Sequence, residues 1–156
     1  MNMMKYIVVV IAALLFTACG KEEEKIIVPG YPNFKVDINN QDTELRTPGN
    51  MKVFTKPRLA GESVGYSGLL VVSNIIQDNG VISLSAYDLC CPNEKLREVA
   101  VVPSAEDGIA TCSKCGKMYD LFSGGYEKSS TSSSRLRLQF YTVRSESNNT
   151  IFYIYR

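Results

Sequence analysis

The chain has 156 residues, 17 basic and 16 acidic side chains, five cysteines and no histidine. The missing histidine excludes Ser-His-Asp and Cys-His catalysis, a histidine general base, and zinc or haem held through imidazole. Charge so near balance leaves no basic stripe and no acidic tail, hence no electrostatic case for nucleic acid or a polyanionic substrate.

Residues 1–18 place one lysine, Lys5, ahead of an apolar run from Tyr6 to Phe16 that ends in Thr17 and Ala18. A basic start, an apolar stretch too short to span a bilayer comfortably, and small residues at its end predict a secretory signal peptide. Phe16-Thr17-Ala18-Cys19 resembles a bacterial lipobox, with phenylalanine where leucine is commoner. That resemblance implies lipid on Cys19 and a membrane partner reached through it. Each buried methylene contributes about 0.8 kcal/mol, so two or three acyl chains anchor firmly. The alternatives are an ordinary signal peptide with an incidental cysteine, or an uncleaved anchor. Residues 19–32 are then a tether that opens with the charged run Gly20-Lys21-Glu22-Glu23-Glu24-Lys25. A solvated spacer explains such a run. It also resembles the acidic run that sends some Gram-negative lipoproteins to the outer face of the outer membrane. The expected location is the bacterial cell envelope, at the outer membrane and on its surface side.

From Cys19 onward 138 residues remain, with 16 basic and 16 acidic side chains, a size that suits one domain. Residues 33–156 read as β throughout. Phe34 to Ile38 alternates apolar and polar. Leu69-Leu70-Val71-Val72 reads as a strand buried on both faces, after the glycine-rich turn Gly65-Tyr66-Ser67-Gly68. In Val81 to Tyr87, Ile82, Leu84 and Ala86 share one face against Ser83 and Ser85. Further strands are expected at Val99 to Val102, Leu136 to Val143 and Ile151 to Tyr155, with turns at Pro48-Gly49-Asn50, Asp78-Asn79-Gly80, Asp107-Gly108 and Ser123-Gly124-Gly125. The serine run 129–134 predicts an exposed loop. No window has helical periodicity with caps. An all-β antiparallel sandwich or small barrel is expected.

Chemistry concentrates in two short stretches, "LCCPNE" (residues 89–94) and "ATCSKCGKMYD" (residues 110–120). In an oxidising compartment four idle exposed thiols are unstable, so Cys90, Cys91, Cys112 and Cys115 are expected to be metal-bound, paired or buried. C-x-x-C-G suits a metal knuckle, because glycine permits the tight turn that aims backbone N–H groups at sulfur. The other ligands then come from the first stretch. Neighbours in a strand point to opposite faces, so Cys90 and Cys91 cannot both ligate unless the chain bulges or turns there. Pro92 supplies a turn, and Glu94, at C-x-x-E spacing from Cys91, completes a three-Cys, one-carboxylate set. A disulfide from one of Cys90 or Cys91 to Cys112 or Cys115 is also open, and geometry rather than sequence decides it. A thioredoxin-like redox pair is disfavoured, because the segment runs into the β-like KMYDLF and not into a helix N-terminus.

The run from Tyr87 to Gly125 resembles a Rieske domain. That family carries C-x-H in one loop and C-x-x-H-G in a second, about sixteen to twenty residues later, usually followed by Phe-Asp and a glycine. Cys91-Pro92-Asn93 falls on the first motif and Cys112-Ser113-Lys114-Cys115-Gly116 on the second; Tyr119-Asp120 matches Phe-Asp, and Gly124 or Gly125 the later glycine. Asn93 and Cys115 stand where the two ligand histidines belong. A Rieske-type [2Fe–2S] centre therefore cannot form as such. The resemblance implies a Rieske-like β domain whose loop site holds zinc, an all-cysteine [2Fe–2S] cluster on Cys90, Cys91, Cys112 and Cys115, or a disulfide and no metal. Crosslinking the loops stabilises by roughly 3 kcal/mol through loop closure, reason enough for the cysteines without a redox role. Two functions follow: a non-catalytic surface or binding module, or a ferredoxin-like electron carrier serving an envelope redox partner. No paired carboxylates, phosphate loop or activated nucleophile point to catalysis by the chain alone. Asp120 is expected to cap a turn.

Overall fold

The computed structural model describes residues 30–128, 135–146 and 148–156. The signal segment, Cys19, the charged run and the serine run all lie outside these residues. Among the described residues no helix is long and apolar enough to cross a membrane.

The protein is all-β, with two short 3-10 turns at Thr43–Arg46 and Asp78–Gly80 and no α-helix among the described residues. Ten strands follow in chain order: β1 (Asn33–Asp37), β2 (Met51–Phe54), β3 (Leu69–Ser73), β4 (Leu84–Asp88), β5 (Val101–Ser104), β6 (Ile109–Cys112), β7 (Met118–Asp120), β8 (Tyr126–Glu127), β9 (Phe140–Ser145) and β10 (Ile151–Tyr155). Six form one antiparallel sheet in the order β1-β10-β9-β4-β3-β2, and β5 to β8 form a four-stranded antiparallel meander. The meander is thus an insertion between β4 and β9. Strand β9 turns the corner of the larger sheet. Its start, Phe140 and Tyr141, pairs with Tyr87 and Ala86 of β4, and Thr142 to Ser145 pair with β10.

Alternation decides which sheet face meets which core. In β3 all five residues are buried, so its two faces serve two cores. Leu69 and Val71 join Phe34, Val36, Phe54, Leu84, Ala86, Tyr141, Phe152 and Ile154 on one side. Leu70 and Val72 join Tyr87, Cys91, Ala110, Cys112, Tyr119 and Leu138 on the other. The second core lies between the large sheet and the meander and contains the cysteines. Close contact there depends on Gly125, which has φ +78 and whose missing Cβ would lie 2.8 Å from the Tyr87 ring.

The expected strands at 34–38, 69–72, 81–87 and 151–155 are present, with ladder pairing in the third beginning only at Leu84. The strand expected at 99–102 starts at Val101, and the one at 136–143 starts at Phe140 and runs to Ser145. Before Phe140, Arg137 makes an isolated bridge to Tyr126, so that part of the run serves the meander. Strands β2, β6 and β8 have no counterpart among the expected elements.

Candidate metal centre

Two loops supply the site. The first leaves β4 at Asp88 and runs to β5; the second joins β6 to β7. Each folds over its leading cysteine in the same way. The Lys95 N–H donates to the Cys91 carbonyl at 2.8 Å, and the Gly116 N–H donates to the Cys112 carbonyl at 2.9 Å. Both closing residues have left-handed backbones, Lys95 at φ +55 and Gly116 at φ +72. Glycine meets that requirement without steric cost, whereas lysine does so under strain. By this correspondence Cys91 matches Cys112, and Glu94 matches Cys115.

The Sγ atoms of Cys91, Cys112 and Cys115 all lie within 4.8 Å of one another. Cys91 and Cys115, from different loops, are 3.7 Å apart. Sulfurs of a tetrahedral zinc thiolate site stand about 3.8 Å apart, given Zn–S bonds of about 2.3 Å. The donor set therefore fits one thiophilic ion. Cys91 and Cys112 are fully buried, and Cys115 is partly exposed.

Cys90 does not join the group. Its thiol donates to the Leu96 carbonyl at 3.5 Å, and burial pushes it up to about 11. Cys90 is as fully buried as Cys91, but alternation turns it away from the other sulfurs, because Cys90 still bridges Ala100 as a strand residue and the turn begins only after Cys91. Its N–H is held by the Asp88 carboxylate at 2.8 Å. Glu94 lies at the rim. Its carboxylate pairs with Lys114 Nζ at 2.8 Å across the two loops and accepts from Asn93 Nδ2 at 3.1 Å. Those partners, with Lys114 first and the Cys115 thiol also contributing, hold it below its ordinary value.

The sulfurs differ electrostatically. Burial pushes Cys112 up, but backbone N–H groups of Cys115 and Lys114 aimed at its sulfur, with the Cys91 and Cys115 thiols, outweigh it and leave the thiol more acidic than usual. Cys115 goes the other way, to about 11, through burial and its neighbouring sulfurs, against one N–H from Lys117. Cys112 is thus the thiol whose charged form its surroundings favour, in a group that has the N–H donors of a metal knuckle. The Tyr119 hydroxyl stands 3.5 Å from Cys91 Sγ with its ring fully buried, and burial followed by the Cys91 sulfur raises it above its ordinary value. Sequence reasoning gave Tyr119 only a motif match; nothing in the order of residues brings it beside Cys91. Asp120 Oδ1 accepts from Phe122 and Ser123 N–H at 3.0 and 2.9 Å, capping the turn after β7.

No family model matches the chain, and no curated protein matches it. Among solved structures, the ferredoxin of carbazole 1,9a-dioxygenase from Nocardioides aromaticivorans IC177 is similar with a TM-score of 0.43 and 16% identity, over 80% of this chain and 97% of that one.

Proposed function

We propose that this chain is a lipid-anchored, Rieske-like module of the bacterial cell envelope in which Cys91, Cys112 and Cys115 hold one zinc ion that pins the two loops, with no catalysis of its own. The observation that carries the metal is the convergence of three sulfurs from two loops within 4.8 Å. Glu94, which matches Cys115 in the loop correspondence, is the fourth ligand once it leaves Lys114. A three-thiolate, one-carboxylate set is within zinc's usual chemistry. Bound zinc would supply crosslinking and thiolate stabilisation, and nothing more is asked of it. The anchor rests on the lipobox-like Cys19 and the charged run after it, which favour the outer membrane and its surface side. Partners are then the membrane through that lipid and an envelope or surface protein, with no nucleic acid.

The competing proposal is a ferredoxin-like carrier with an all-cysteine [2Fe–2S] cluster. Such a cluster needs four thiolates, and Cys90, buried but turned away from the group, leaves three. The deciding experiment is metal analysis together with the visible spectrum of the full chain, purified in detergent without oxygen or chelator. One zinc per chain in a colourless sample is the expected result. Two irons with a bleachable brown chromophore would overturn it in favour of the carrier, and neither metal would overturn both. Mass analysis of the N-terminal peptide, with Cys19→Ala as control, tests the lipid.

A further inference from the structure

The three clustered sulfurs do not present themselves equally to a reagent in solution. Cys91 and Cys112 have no exposed surface, while Cys115 is partly exposed on the second loop. Cys112 is closed to a bulky reagent, so access selects Cys115. Behind Cys115, at 3.7 Å, lies the Cys91 sulfur from the other loop. A disulfide requires about 2.0 Å between sulfurs, so the pair must close by roughly 1.7 Å, within the reach of small χ1 changes and a slight loop shift. The Cys112 sulfur also lies within 4.8 Å of Cys115, but the Cys91 sulfur is the one in direct contact with it.

We infer that Cys115 is a site of S-thiolation by low-molecular-weight disulfides, and that Cys91 resolves the adduct into a disulfide joining the two loops. In the first step the Cys115 sulfur attacks one sulfur of the incoming disulfide, whose S–S bond breaks and releases one thiol. In the second the Cys91 sulfur attacks Cys115 in the mixed disulfide and releases the other. The protons of Cys115 and Cys91 end on the two released thiols, and the two electrons lost by the protein reduce the incoming disulfide. Cys112 and Cys90 stay reduced. The thiol chemistry stands without a metal; only its consequence rests on the proposed zinc site, since the disulfide withdraws two of three thiolates and so excludes the ion.

The test uses the full chain, reduced and held in chelator, incubated with oxidised glutathione, then alkylated and mapped by mass spectrometry. A peptide pair linking Cys91 to Cys115, with Cys90 and Cys112 alkylated, is the expected product. In Cys91→Ser the reaction stops at one glutathione on Cys115, and in Cys115→Ser it slows by at least about tenfold. A Cys112–Cys115 link, glutathione on Cys112, or an unreactive natural sequence overturns the inference. Zinc titration of the reduced chain is read separately. Zinc uptake without the inter-loop disulfide sinks this inference alone, and the disulfide without zinc uptake sinks the metal reading alone.

Discussion

The Tyr141 hydroxyl donates to Asp88 Oδ2 at 2.6 Å, and both residues are fully buried. The same carboxylate accepts N–H groups from Tyr66 at 2.6 Å, Ser67 at 3.1 Å and Cys90 at 2.8 Å. Asp88 is the last residue of β4, so four donors from three parts of the chain fix the point where the first cysteine loop departs. A Cβ at Gly65 would lie 2.6 Å from this carboxylate and 2.5 Å from the tyrosine oxygen, which shows how tightly the 65–67 turn closes over it.

Removing the carboxylate strands those donors, each costing about 1–3 kcal/mol when buried without a partner. Asp88→Ala is therefore expected to lower stability by at least about 3 kcal/mol. Tyr141→Phe, which loses one charge-assisted bond, costs about 1.5–3 kcal/mol. Urea unfolding of the two variants checks the order. An Asp88→Ala midpoint equal to that of Tyr141→Phe would show that the backbone N–H groups find other partners.

The orientation of Cys90 separates it from the other three cysteines. Cys90→Ala leaves zinc stoichiometry at that of the natural chain, while Cys91→Ser and Cys112→Ser each abolish stable binding, because two thiolates remain. Zinc retained after gel filtration, measured by elemental analysis, distinguishes them. Loss of zinc in Cys90→Ala with the fold intact by circular dichroism would return Cys90 to the ligand set.

Much of the fold is written in short-range pattern. Val81 to Tyr87 and Phe34 to Ile38 alternate plainly, and the unbroken apolar run Leu69 to Val72 signals burial on both faces. Strands β2, β6 and β8 did not announce themselves for a physical reason. Met51–Phe54 and Ile109–Cys112 have four residues each and Tyr126–Glu127 has two, and ladder partners rather than periodicity define them. In the site, spacing picks out both loops and the turn at Pro92. It does not say which of two adjacent cysteines joins the cluster, because that depends on where the strand-like pairing of Cys90 with Ala100 gives way to the turn. Nor does it foresee Tyr119 beside Cys91, or Lys114 reaching across to Glu94, since both contacts join segments about twenty or more residues apart through the meander's register.

Stability at acid pH should follow Asp42. Burial alone would raise this carboxyl, but a two-point contact from Arg58 at 2.9 and 3.2 Å, the Asp37 N–H at 2.9 Å and Lys52 at 2.9 Å hold it below its ordinary 3.8. The unfolded chain takes up the proton first as pH falls. This contribution is thus complete above the unfolded value near 4 and is lost as pH drops through the lower folded value. The urea midpoint is expected to fall from pH 4 downward. Asp42→Asn is less stable at pH 7 by about 2–3 kcal/mol and lacks that part of the acid slope. A variant retaining the full slope would assign it to other carboxylates.

Glu94 and Lys114 are the place where the loop correspondence can be tested. If Glu94 takes the fourth position on the ion, the Lys114 pair competes with the metal for the carboxylate. Lys114→Met then tightens zinc binding by roughly two- to fivefold, the scale of an exposed ion pair released. Glu94→Gln weakens it, since an amide oxygen is a poorer zinc ligand than a carboxylate. In the double variant Lys114→Met adds nothing, because no carboxylate remains to be freed. Competition against a chromophoric chelator at fixed pH and low salt reads all three. If Glu94→Gln binds zinc as tightly as the natural chain, water fills the fourth position, and the Glu94–Lys114 pair serves only to hold the two loops together.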